Sequence, residues 1–200
     1  MRHRLFILLV FCTLCSGCRT MAKLAFGINE IDEYDEKSIT SFLDESRTKV
    51  ACTQIIANTI QFDSLIHLDK DTNMMHRRSQ PVQVLYYAHD SLIFYDLNCF
   101  TQKGLFHFDW NNRHSFDNFP PSPTFVVDTM ESMTLRSIQH IFPELQSSSN
   151  YTILIFWSNL LRKVSRRAIE AVANNVRGRD DCTVVLINTD RFWIELLNKE

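Results

Sequence analysis

The stretch ILIFWSNLLRKVSRR, Ile153 to Arg167, decides the fold, because an apolar run turns there into an amphipathic one. Thr152 to Trp157 is apolar without alternation, the pattern of a strand buried on both faces. Beyond it Val164, Ala168, Val172 and Val176 recur every four residues with Ile169 beside them, which predicts a helix over 164–176 with one apolar stripe. Gly178 stands where a left-handed C-terminal cap is wanted. A second apolar run, Cys182 to Asn188, follows, and Asp190 to Asn198 can form another helix. Strand, helix and strand in this order predict two parallel strands joined by a right-handed crossover.

Working back from this unit, the strongest strand signal is Pro81 to Phe100. Val82 to Tyr87 and Leu92 to Cys99 are rich in Val, Ile, Tyr and Phe and flank Ala88-His89-Asp90-Ser91, which reads as a hairpin turn. Asp35 can cap a short helix over Glu36 to Glu45, where Ile39, Phe42 and Leu43 make one stripe. Residues 48–68 are apolar but fit neither the helical nor the strand period, so both readings stay open there. DKDTNMMHRRSQP, Asp69 to Pro81, reads as a charged break, and residues 101–123 as a long aromatic connection. Pro120, Pro121 and Pro123 mark a boundary, which divides the chain into an α+β region over 35–120 and a βαβ region over 121–200. The fold class expected is α/β of mixed kind, a βαβ region joined to an antiparallel hairpin.

Composition narrows the function. The 200 residues are 45% apolar and 22% charged, enough for a sizeable core. A formal charge of −2 lacks the basic face that drives nucleic-acid binding by counterion release. The four glycines, Gly17, Gly27, Gly104 and Gly178, are scattered, whereas a phosphate-cradling loop needs several together, so no nucleotide is expected. No cofactor is indicated.

The N-terminus, MRHRLFILLVFCTLCSGC, has the plan of a secretory signal. Arg2, His3 and Arg4 precede an apolar core of about ten residues, and Ser16-Gly17 supply small residues for a peptidase. A membrane-spanning helix would need about 20 apolar residues. The close of this run, Leu14-Cys15-Ser16-Gly17-Cys18, resembles the lipobox of bacterial lipoproteins, with Cys15 where that motif usually has Leu. The resemblance implies that residues 1–17 are removed, that Cys18 carries the lipid, and that 18–34 form a tether. It also implies attachment to the cell envelope. Arg19 stands where an Asp would favour retention at the inner membrane, so the outer membrane is the expected site. Four cysteines then remain, Cys18, Cys52, Cys99 and Cys182. With Cys18 acylated, at most one internal disulfide can form, Cys52 with Cys99 being one possible pair, and buried free thiols being the other reading.

Residues 153–190 resemble a thioredoxin-like protein. In that family a buried strand ends in Phe-Trp, a short loop follows, and a Cys-x-x-Cys pair opens the next helix, after which a strand ends near Asn and Asp. Here Phe156-Trp157, Ser158-Asn159-Leu160, the helix, and VVLINTD ending in Asp190 follow that plan, but the two cysteine positions hold Leu161 and Val164. The family's chemistry needs a thiolate activated at the helix N-terminus, and neither residue ionises. Upstream, Pro123 to Asp128 followed by Met133-Thr134-Leu135 is similar to the opening hairpin of membrane-tethered thiol reductases. A complete thioredoxin continues with a hairpin opened by a cis-proline. Here the hairpin of 82–99 completes the sheet in another order, or the chain is truncated, or the likeness ends with the βαβ unit.

Arg162, Lys163, Arg166 and Arg167 place like charges at the positive end of the helix dipole, so an anionic partner, lipid headgroup or acidic protein, would suit them. A solvated face balanced by Glu170, Asp180 and Asp181 is the plainer reading. His107, Asp109 and His114 are of metal-ligand type but lack ligand spacing, and no metal is expected. Phe106, Phe108, Trp110, Phe116 and Phe119 could stack on a sugar or simply fill the core. Together these features predict a lipid-anchored, non-enzymatic binding or scaffold module with an envelope protein as its partner. Two alternatives stand beside it, a thiol-disulfide oxidoreductase acting through a remote cysteine such as Cys99, and a glycan-binding lipoprotein.

Overall fold

In the computed structural model, which describes residues 29, 31–46, 51–97, 110–111, 114–122, 131–147 and 149–199, the apolar run Tyr151–Trp157 is the middle strand of a five-stranded sheet. The strands are β1 (Cys52–Ile56), β2 (Gln83–Ala88), β3 (Ser91–Leu97), β4 (Tyr151–Trp157) and β5 (Cys182–Asn188). Their order is β1-β5-β4-β2-β3. β4 pairs β5 in parallel and β5 pairs β1 in parallel, whereas β2 lies antiparallel to both β4 and β3. The hairpin thus completes the sheet on the β4 side although it precedes β4 in the chain, one of the three outcomes the sequence left open. Strands from both sides of the proline-marked boundary share this one sheet.

The helices are α1 (Glu36–Glu45), α2 (Thr59–Ile66), α3 (Thr72–Arg78), α4 (Leu135–Ile141), α5 (Arg162–Asn175) and α6 (Asp190–Leu197). Because side chains alternate across each strand, β4 serves two cores. Leu154 and Phe156 join Phe62, Leu65, Ile66, Met74, Leu135, Ile138 and Phe142 on the face of α2, α3 and α4. Ile153, Ile155 and Trp157 join Ile39 and Phe42 of α1 and Val164, Ala168, Ile169 and Val172 of α5 on the other. The result is a mixed α/β protein of three layers.

Local chemistry explains most element ends. The Asp35 carboxylate accepts from Lys37 N at 2.9 Å and opens α1, and Asn58 and Gln61 form a reciprocal capping box at α2. Residues 48–68, ambiguous in sequence, hold both a strand and a helix, split at Ala57-Asn58. The charged break is corrected: Asp71 caps α3 within it, and His76, Arg77 and Arg78 fill the last turn, where the helix dipole favours cations. Met133-Thr134-Leu135 is corrected too, since the Thr134 hydroxyl accepts from Ser137 N at 3.1 Å and Leu135 begins α4 rather than a strand. Residues 123–128 of that reading lie outside the described residues. Helix α5 begins at Arg162, before the apolar stripe starts, and Gly178 takes φ +77° just beyond its end. The hairpin turn puts His89 at φ 53°, a left-handed position that His tolerates better than most residues.

Candidate functional site

At the C-terminal ends of β4 and β5 a group of polar side chains is sealed from water. Ser158, Asn159, Ser165, Asn188, Thr189 and Asp190 are all buried. Burying a carboxylate demands donors, and Asp190 has four: Ser158 Oγ at 2.6 Å, Asn159 N at 2.8 Å, Asn159 Nδ2 at 2.9 Å and Asn188 Nδ2 at 3.1 Å. Ser165 Oγ donates to Ser158 O at 2.8 Å and accepts from Ser158 N at 3.2 Å. Thr189 N closes the ring by donating to Trp157 O at 3.0 Å. Neither α5 nor α6 has a side-chain N-cap, and this network fixes both starts instead. Its members bond to one another and, through Asn159, to Arg162 and Asn29, so the network holds the β4–α5 turn in place.

The two positions that the sequence reading matched to thioredoxin cysteines lie at the start of α5. Leu161 is the N-cap residue of α5, and Val164, three residues on, is buried against the sheet. The Ser165 hydroxyl is engaged at both its donor and acceptor sides, with no histidine among its hydrogen-bond partners.

The four basic residues at the start of α5 divide. Arg162 and Arg166 converge on Glu45 at the end of α1, with Nη2 atoms 3.0 Å and 2.7 Å from the same Oε2. The Arg162 guanidinium holds the Glu45 carboxyl below the usual carboxylate range. Arg162 also donates to Asn159 Oδ1 at 3.0 Å and lies 5.1 Å from the centre of the Phe42 ring. Lys163 and Arg167 stand on the exposed side of α5. Part of the anionic partner expected from the sequence is therefore supplied by the chain itself.

The N-terminal segment covers the same turn. Asn29 donates from its backbone to Leu160 O at 3.0 Å and from Nδ2 to Asn159 O at 2.9 Å. Phe42 stacks on Trp157 with ring centres 4.5 Å apart and planes 20° apart, and Arg191 lies 4.4 Å over the Tyr34 ring. Asn29, Glu45 and the Asp190 network are the site residues that sequence reasoning missed. The sequence showed Ser158 and Asn159 as the loop after β4 and Asn188 to Asp190 as the end of the second strand, but not that they meet.

Other sequence candidates fall elsewhere. Cys52 and Cys182, partly buried at the starts of β1 and β5, are in no disulfide, and burial pushes the Cys182 thiol up. Cys18 and Cys99 lie outside the described residues, as do Phe106, His107, Phe108 and Asp109. His114 pairs with Asp117 at 2.8 Å on the surface. Trp110 and Phe116 are buried in the core, and Phe119 packs edge-on against Tyr151 beneath Arg179, whose guanidinium is 3.8 Å from its centre. Trp110 and Phe116 thus follow the core-filling reading of this segment, while Phe119 is half-buried. Among the described residues no group of three or more His, Cys, Asp or Glu could hold a metal ion, and no helix is long and apolar enough to cross a membrane.

What fold and site define together is a class by architecture, a mixed α/β sheet whose strand-to-helix turn is locked from within and covered by its own N-terminal segment. No family model, curated protein or solved structure matches the chain.

Proposed function

We propose that the protein is a lipid-anchored module of the bacterial cell envelope that binds a partner and catalyses no thiol exchange, built on a thioredoxin-like junction without its cysteines. The observation that carries the non-catalytic half is the turn at α5. Apolar Leu161 and Val164 occupy the two thiol positions of that reading, Asn29 bonds to the turn beside them, and Phe42 shares a core with Val164. A disulfide substrate would find no nucleophile there. The raised Cys182 thiol weighs the same way, because the thiolate is the attacking species.

The anchor rests on Cys18, placed directly after Ser16-Gly17 at the end of the apolar core. Each buried methylene contributes about 0.8 kcal/mol, so one acyl chain binds marginally while the two or three of a lipoprotein make release negligible. Arg19 after that cysteine favours the outer membrane. The partner in this reading is an envelope protein reached within the span of the tether.

Cys18→Ala tests the anchor. Cells fed a labelled fatty acid should label the unsubstituted protein and leave the variant unlabelled, with the variant in the soluble fraction. Equal labelling of both would refute the assignment.

A further inference from the structure

We propose that the β4–α5 junction is a receptor surface for an acidic amphipathic helix, and that α1 is that ligand bound in cis. The inference rests on reading the junction as a binding site. It does not depend on the lipid anchor, so Cys18→Ala leaves its test unchanged.

Three observations carry it. First, α1 is held by side chains alone: among the described residues its backbone hydrogen bonds are all local, and, with Leu43 half-buried beside them, it meets the body through Ile39, Phe42 and Glu45. These stand at intervals of three on one face, a pattern of apolar, aromatic and acidic residues that a groove can read as it reads any docked helix. Second, the charges are complementary. Residues 31–46 carry six acidic side chains, Asp32, Glu33, Asp35, Glu36, Asp44 and Glu45, against a single lysine, Lys37. Of these, Glu45 pairs with Arg162 and Arg166, while Arg191 lies over the Tyr34 ring of the same segment.

Third, the receiving residues are set in place by contacts that do not involve α1. Trp157 is fixed by β4 and by Thr189, Arg162 by Asn159, and Asn159 by Asp190. Removing α1 would leave an aromatic floor and the Arg162 guanidinium still oriented by Asn159, a surface needing little reorganisation to bind again. The partner it fits is a helix with Ile or Leu, Phe three residues on, and Glu three beyond that.

The experiment uses the full chain and a fluorescent synthetic peptide of residues 31–46. Unsubstituted protein should bind the peptide weakly, because α1 holds the site. Phe42→Ala with Glu45→Lys releases α1, and the peptide should then bind at least tenfold tighter by anisotropy. Adding Arg162→Glu should abolish that gain. A folded double variant that binds no better than the unsubstituted chain overturns the proposal. Should the double variant not fold, hydrogen exchange on the unsubstituted protein decides. The α1 amides should exchange at least tenfold faster than those of Ala168–Val172 in α5, and excess peptide should speed them further. Equal protection of α1 and α5 overturns it.

Discussion

A buried carboxylate must replace the water it loses, and Asp190 shows what this requires of its neighbours. Two side-chain amides, a hydroxyl and a backbone N–H converge on it from Ser158, Asn159 and Asn188. Replacing it by alanine strands those donors, and each buried unpaired group costs about 1–3 kcal/mol. Asp190→Ala is therefore expected to lose at least about 3 kcal/mol of unfolding free energy in urea, with Asp190→Asn losing less; a loss under about 1 kcal/mol would contradict the network's role. In the sequence these residues look like ordinary loop polars. Nothing local announces that they meet, because the meeting depends on β4 and β5 lying side by side.

Elements were legible where one period dominated. The stripe of α5, the run of β4 and the hairpin could all be read, because each buries a regular set of side chains. Helix α3 could not: it is two turns long, it buries Met74 and a charged residue, Arg78, and a polar clamp holds that arginine. Arg78, fully buried, donates to both oxygens of Asp69 at 2.9 Å and 2.8 Å and to Ile66 O at 3.1 Å. Ser132 donates to the same carboxylate, which ties the loop before α4 to the loop between α2 and α3.

The Arg78 guanidinium holds the Asp69 carboxyl down at about 2. A lowered folded pKa gives stability that is fully present above the unfolded value of about 3.9 and is lost as pH falls through the folded one. Thermal melts between about pH 4 and pH 2 should thus show a falling melting temperature whose slope is shallower in Asp69→Asn. Identical slopes would show that the clamp does not link to protons in that window.

At the scale of the molecule, the order β1-β5-β4-β2-β3 was the part least accessible to sequence reasoning. Periodicity identifies strands but is silent on which distant strand each will choose, and the hairpin's place beside β4 is set by long-range packing. The same holds for the covering of the β4–α5 turn, where Asn29 and α1 arrive from residues far upstream. That turn, with apolar Leu161 and Val164 at the positions expected for thiols, carries the proposal that the chain binds a partner and does not exchange thiols. It is tested most directly by acid-quenching intact cells, alkylating free thiols and measuring the mass of the captured protein. The account predicts Cys52, Cys99 and Cys182 without any mixed disulfide to another protein, and a mixed disulfide trapped at any of the three would contradict it.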